Sequence, residues 1–436
     1  MRQVRFIRGF IEAKERLAGP TARRAAYFPL VQAAYSCLAG AFEMPMAFRL
    51  VGSIQHVVIV YTFYYCMLFA GFMAGLVLIR EGDASKVFRL ELGMLAALNF
   101  GTAALYPRFS GVPALACYFL VRGLAEGLYW AARHRTMLWA LKDSARDRFA
   151  FRLQSLVVAV SVVLPLLAGA LITHLGAGAR RDNPLLPPGY VPVFLFTGTV
   201  LALACLASPR LGIGRSKLSF AKAASLFADR KSRAWSIYVA ACAAAGSCVS
   251  VGAGIMTFGI LKTEFRIGAF NAGIALMSSL TFALMGRFLA GRKGVRTRGV
   301  LLGAAGDCLS RAIYASAPNA AGLGAKAVLD AFASPVKSLM GENLNFAYIE
   351  RLCARTETSQ AEVYLYRETV IWIARILFCA VSALALAFAG GARAEGARLM
   401  VALAAAVPLG EYLFLRSIAR ELAPGVEGGA AGGAAR

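Results

Sequence analysis

Long apolar runs alternate with short polar interruptions along the chain from Ala25 to Ser417. Each run is about 18 to 26 residues, the length a helix needs to cross a hydrocarbon core about 30 Å thick. The pattern predicts twelve transmembrane helices: 25–51, 54–79, 87–106, 112–138, 151–175 and 190–208, then 234–261, 268–291, 299–317, 320–346, 364–389 and 396–417. Lipid offers no hydrogen bonds to a backbone, so helices of this length and apolarity imply an all-α polytopic membrane protein. The longest interruption falls near the centre and divides the chain six plus six. The expected organisation is a basic cytoplasmic segment 1–24, a six-helix bundle 25–208, a cytoplasmic central loop 209–233, a second six-helix bundle 234–417 and a disordered Gly- and Ala-rich tail 418–436.

Composition agrees with this reading. A chain of 436 residues that is 59% hydrophobic is neither a soluble multidomain protein nor a disordered one. Its net charge of +24 raises the question of a nucleic-acid partner, but the basic residues gather in every second gap between apolar runs. That bias is the positive-inside pattern, which places both termini in the cytoplasm and the bases against anionic lipid heads. Membrane lipids are therefore expected partners, and nucleic acid is not. Heavy Ala, Gly and Arg usage points to a bacterial inner membrane. The nine cysteines are scattered without a CxxC, and the three histidines are far apart, so no metal or cofactor is expected.

Two loops resemble each other at matching places in the two halves. Residues 74–83 read AGLVLIREGD and residues 286–295 read GRFLAGRKGV, so Arg80 aligns with Arg292 and Gly82 with Gly294. A duplicated six-helix unit leaves such a trace. At these residues the chain resembles the major facilitator superfamily, whose members carry a Gly-x-x-x-Asp-Arg-x-Gly-Arg-Arg loop after the second and eighth helices. The Arg-x-Gly core is present in both copies, while the motif's Asp position is Ile79 in one and Gly291 in the other. The resemblance implies a monomeric transporter with gating loops at Arg80, Gly82, Arg292 and Gly294. It also implies a central cavity lined by the first, fourth, seventh and tenth helices. Pro165 and Gly169 in the fifth helix are similar to the Gly- and Pro-containing motif of exporters.

Charged side chains within apolar runs point to the mechanism, because each costs about 2.5 to 3.5 kcal/mol to insert and needs a partner or a wet cavity. Arg122 with Glu126, Asp307 with Arg311, and Lys326 with Asp330 are all spaced i, i+4, which puts each pair on one helical face. The resemblance places the fourth and tenth helices at the cavity, so Glu126 and Asp330 are the expected proton-binding carboxylates, with Arg122 and Lys326 as their charge partners. Asp307 and Arg311 read as a structural pair. Glu43, beside Pro45, is the next candidate. Gln32, Tyr35, Ser36, Tyr129, Trp130, Ser247, Ser250 and Asn343 complete the candidate lining. Glu368, next to Arg367, reads as part of an inter-helix lock at the cytoplasmic mouth, and Arg375, also counted among the gating residues, as a deep charge that needs a carboxylate.

The expected function is secondary active transport of a small amphipathic or charged solute by alternating access, with protons as coupling ions. The alternative is a flippase for a lipid or lipid-linked precursor, with a membrane enzyme or a non-transporting assembly or sensor protein as lesser readings. No Gly-x-x-x-x-Gly-Lys-Ser/Thr segment is present, so the chain carries no ATPase motif of that type. An enzyme would need an acid, base or metal constellation at one interface, and Asp143 with Asp147 among neighbouring bases reads instead as a solvated turn.

Overall fold

The computed structural model describes residues 19–80, 82–140, 143–175, 183, 185–213, 217–288, 295–388 and 393–421. Every extended element among these residues is helical. The first half comprises α1 (Gly19–Leu38), α2 (Glu43–Val51), α3 (Ile54–Ile79), α4 (Ala84–Ala104), α5 (Gly111–Ala140), α6 (Asp143–His174) and α7 (Tyr190–Leu206). A short α8 (Phe220–Ser225) leads into α9 (Arg230–Leu261), α10 (Glu264–Phe288), α11 (Val295–Ser316), α12 (Ala320–Thr356), α13 (Gln360–Phe388), α14 (Arg393–Leu403) and α15 (Val407–Glu421).

Polar side chains set several helix starts. Asp83, Ser219, Asp229 and Asn319 each accept a hydrogen bond from a backbone N–H in the first turn that follows, at α4, α8, α9 and α12. The first expected span is interrupted by a 3-10 turn at Gly40–Phe42. Pro45 explains the break, since it lacks an N–H and its ring excludes the carbonyl four residues earlier from a continuous helix. The interruption starts α2 at Glu43 and leaves that carboxylate in the first turn, where the helix dipole favours negative charge.

Among the described residues, six helical stretches are long and apolar enough to cross a membrane: Arg23–Val51, Ile54–Ile79, Gly111–Met137, Leu156–His174, Arg230–Leu261 and Glu395–Arg420. Other helices carry charge within their apolar lengths, as with Arg89 and Glu91 in α4, Asp307 and Arg311 in α11, and Lys326, Asp330 and Lys337 in α12. Leu203, Leu206, Ile237, Leu377, Val381 and Leu384 point outward and exposed, as lipid-facing side chains do. The molecule is a multi-pass integral membrane protein.

The closest helix packing joins α3 to α5. An added Cβ at Gly127 would sit 2.1 Å from the Leu68 carbonyl oxygen, and one at Gly71 would sit 2.1 Å from the Leu124 carbonyl oxygen. Each helix thus presses its backbone into a glycine of the other. A similar exchange joins α6 to α10, where Gly268 meets the Pro165 carbonyl and Gly169 meets that of Glu264. The exporter-like Pro165 and Gly169 therefore form a contact between helices of the two halves of the chain. At the other crossing of the halves, α3 packs on α13.

Between α3 and α4, Gly82 takes a φ of 95°, open to glycine without strain, and donates its N–H to the Ile79 carbonyl. The segment then pairs with the central loop through Ala84 N–H to Leu211 O and Ile213 N–H to Gly82 O. Arg80 is exposed. Its aligned counterparts Arg292 and Gly294 lie outside the described residues.

The glycine contacts give a direct test. Gly127→Val forces α3 and α5 apart and is expected to destabilise the protein by about 1–3 kcal/mol or more. Gly101→Ala, where an added Cβ meets nothing within 4 Å, is expected to be neutral or to stabilise by about 0.5–1 kcal/mol. Thermal unfolding of the purified variants in detergent reads both.

Candidate functional site

A cavity of about 430 Å³ lies where helices from the two halves converge. The first half supplies the α1–α2 turn and faces of α3 and α5. The second half supplies Gly246, Ser247 and Ser250 of α9 and Arg375 of α13. Its volume falls in the range of about 300–1,000 Å³ typical of small-molecule sites.

The cavity is organised around Arg122. Its Nε stands 3.0 Å from Glu43 Oε1 and its Nη1 stands 2.5 Å from Glu126 Oε2, so one guanidinium joins two carboxylates. The Tyr35 ring lies against the guanidinium at 4.8 Å. Both carboxylates take further donors. Glu43 accepts from the hydroxyls of Tyr35 at 2.7 Å and Tyr118 at 3.0 Å. Glu126 accepts from the Tyr64 hydroxyl at 2.5 Å and from Trp130 Nε1 at 3.1 Å. All three charges are largely withdrawn from water, and charges so placed persist when they are paired.

Aromatic rings form one wall. Tyr61, Tyr64, Tyr65 and Phe119 make a continuous cluster with centroids 5.0 to 6.0 Å apart. The Arg375 guanidinium lies 5.0 Å from the Tyr65 ring centroid. Among the described residues, Arg375 makes no ion pair or hydrogen bond, and its Nε is buried without a partner.

Paired side chains from the two halves lie on either side of the cavity. At the end bearing the α2–α3 turn, Arg49 Nε is 2.8 Å from Glu264 Oε1, and the Tyr190 hydroxyl donates to the same carboxylate oxygen at 3.3 Å. Toward the central loop, Arg133 Nη1 is 2.9 Å from Glu342 Oε1. There the His134 ring stacks on Tyr364 at 4.7 Å, and its Nε2 lies 3.4 Å from Arg367 Nη1. Arg367 also donates to Glu368 at 2.7 Å.

Several expected site residues come together here: Glu43, Arg122, Glu126, Tyr35 and Trp130, with Ser247 and Ser250. Others do not. Lys326 pairs with Asp330, Asp330 also accepts from the Ser310 hydroxyl of α11, and Lys326 Nζ lies over the Tyr314 ring of α11. They face the neighbouring helix, and neither lines the cavity. Tyr129 is buried between Phe88 and Trp130 instead of facing the cavity, and Gln32 is buried outside the lining. Arg375, expected at a gate with a carboxylate partner, instead lines the cavity without one. The side chain of Asn343 lies outside the described residues.

Some polar residues had no signal in the spacing. Asp307 does lie 3.9 Å from Arg311, but its shorter contact is Lys337 Nζ at 2.7 Å, which also holds Glu411 at 2.9 Å and so ties α11, α12 and α15. Glu91 of α4 is only 1% exposed, and one of its oxygens is unpartnered. Tyr61, Tyr64 and Tyr65, by contrast, recur at i, i+3 and i+4 and announce one helical face.

Removing Arg122 tests the central arrangement. Arg122→Met leaves two buried carboxylates without a cation and is expected to cost about 3–5 kcal/mol. Adding Glu43→Gln and Glu126→Gln is expected to recover part of that loss, measured by thermal unfolding of the single, double and triple variants.

No family model matches the sequence, and no curated protein matches it significantly. Solved structures do resemble it. The fucose:proton symporter of E. coli superposes with a TM-score of 0.61 at 15% identity, over 91% of this chain and 98% of its own. A human organic anion transporter gives 0.63 at 14% identity, over 91% and 100%. A bacterial homologue of the human lysosomal transporter Spinster, in an inward-facing conformation, gives 0.60 at 13% identity, over 92% and 96%. One of the matching structures is described as a major facilitator superfamily transporter. Identities this low show the fold alone, and this chain shares its fold with these transporter structures.

Proposed function

We propose that the protein is a secondary active transporter moving a small amphipathic or charged solute across the membrane by alternating access, coupled to protons. The observation that carries this reading is the cavity itself. It is lined by both halves of the chain, holds a buried carboxylate–guanidinium–carboxylate group, and is flanked at each end by contacts between the halves. The two moving bodies are the six-helix bundles 25–208 and 234–417, joined by the loop 209–233 in the cytoplasm, with both termini on that side of a bacterial inner membrane. The protein works as a monomer. The fold neighbours, among them a fucose:proton symporter and an organic anion transporter, support the reading through their shared architecture.

Coupling follows from charge. Ionised, Glu43, Arg122 and Glu126 carry one excess negative charge, which a single proton on either carboxylate removes. Protonation weakens one of the two bonds to Arg122 and lets the guanidinium shift toward the other carboxylate. Glu43 sits on α2 and Glu126 on α5, so that shift changes how the two helices are held together. A cavity of about 430 Å³ favours a compact solute over a lipid, the occupant a flippase requires.

In proteoliposomes, an imposed pH gradient is expected to drive solute accumulation by the wild type. Glu126→Gln is expected to abolish that accumulation while retaining solute exchange at equal pH. Gradient-driven accumulation that survives in Glu126→Gln removes Glu126 from the coupling, and movement of labelled lipid in place of solute favours the flippase.

A further inference from the structure

We infer that the central cavity takes an organic anion with an apolar, aromatic-compatible body, its carboxylate bound by Arg375, and that one proton accompanies it. This rests on the reading of the cavity as the substrate site.

The argument is a satisfaction count. The two acids of the cavity are supplied by the protein: Glu43 takes two tyrosine hydroxyls and Arg122, and Glu126 takes Tyr64, Trp130 and Arg122. An ammonium ligand would have to displace these bonds. Arg375 is the opposite case. It reaches the same cavity from the other half of the chain, lies against the Tyr65 ring, and among the described residues donates to no carboxylate or carbonyl oxygen. A guanidinium has five N–H donors and no acceptor capacity, so what the cavity lacks is an acceptor, best an anionic one that meets it in the bidentate manner.

The body of the ligand follows from the walls. Tyr61, Tyr64, Tyr65 and Phe119 stand together on one side, and Trp130 lies next to Glu126. Such rings offer area and edges to a planar or apolar group. Charge then fixes the proton count. With both glutamates ionised, Arg122 and Arg375 bring the cavity to neutrality. A bound monoanion leaves one excess negative charge, which one proton on Glu43 or Glu126 cancels. Anion and proton enter together, and the loaded cavity is neutral.

The test uses three probes with one body and three head groups: 4-phenylbutyrate, 4-phenylbutylamine and 4-phenylbutanol. Binding to the purified full chain is read by tryptophan fluorescence and thermal shift. The wild type is expected to bind the carboxylate in preference to the amine and the alcohol. Arg375→Gln is expected to weaken carboxylate binding about ten- to hundredfold, and Arg375→Lys to retain part of it. Arg375→Gln is first checked for a monodisperse, cooperatively unfolding state; if it misfolds, Arg375→Lys and the head-group order in the wild type decide. Equal or tighter binding of the amine, binding unchanged in Arg375→Gln, or binding of none of the three overturns the inference. Transport in proteoliposomes separates this from the broader reading. Carboxylate that binds through Arg375 but is never translocated leaves the site assignment standing and removes the transporter. Accumulation of a solute that ignores Arg375 does the reverse.

Discussion

The first half of the molecule is arranged around one guanidinium. Arg122 lies among apolar helices, where an unpaired charge is expensive, and it persists there because Glu43 and Glu126 meet it from two helices. Each carboxylate in turn needs neutral donors, and they come from α1, α3 and α5 in the form of Tyr35, Tyr64, Tyr118 and Trp130. Two backbone features make this convergence geometrically feasible. The break before Pro45 starts a new helix at Glu43, and the glycine exchange between α3 and α5 brings the Tyr64 hydroxyl within reach of Glu126.

What was legible in the sequence tracks the range of each interaction. Periods of about 20 apolar residues announced spans, and the i, i+4 spacing announced that Arg122 and Glu126, Asp307 and Arg311, and Lys326 and Asp330 would each share a face. Spacing gives the face of a helix and not its direction in the bundle. Arg122 with Glu126 and Lys326 with Asp330 have identical spacing, yet one pair lines the cavity and the other turns to Ser310 and Tyr314 of the adjacent helix. The contact of Arg122 with Glu43 spans 79 positions and that of Arg49 with Glu264 spans 215, so neither leaves a local pattern. Arg375 was legible as a deep charge, but its lack of a partner was not, because only the packed structure says which carboxylates come near.

Charge is distributed differently in the second half. Lys337 holds Asp307 and Glu411 together across α11, α12 and α15, and Lys326 holds Asp330 beside Ser310, so these acids are consumed in tying helices to one another. The charge this half presents to the cavity, among the described residues, is the lone Arg375. One half therefore brings a self-satisfied acidic group and the other an unsatisfied base. A ligand that completes the base also adds to the attraction across the cavity, between halves that touch there chiefly through aromatic and small side chains.

The contacts at the two ends complete this picture, because each has a cation more open to water than Arg122. Arg133 and Glu342 are partly open to water, and so is Arg49, whose partner Glu264 is buried. Exposed pairs contribute about 0–1 kcal/mol each and breaking a buried pair costs about 3–5 kcal/mol, and the partly open end pairs fall between these limits. The transporter proposed above, opening to one side and then the other, needs this ordering. If the end contacts were as strong as the Arg122 group, a ligand and a proton would not supply enough differential free energy to break them. With the strong interactions confined within each half, the alternating access proposed above opens either end with Arg122, Lys337 and their partners intact.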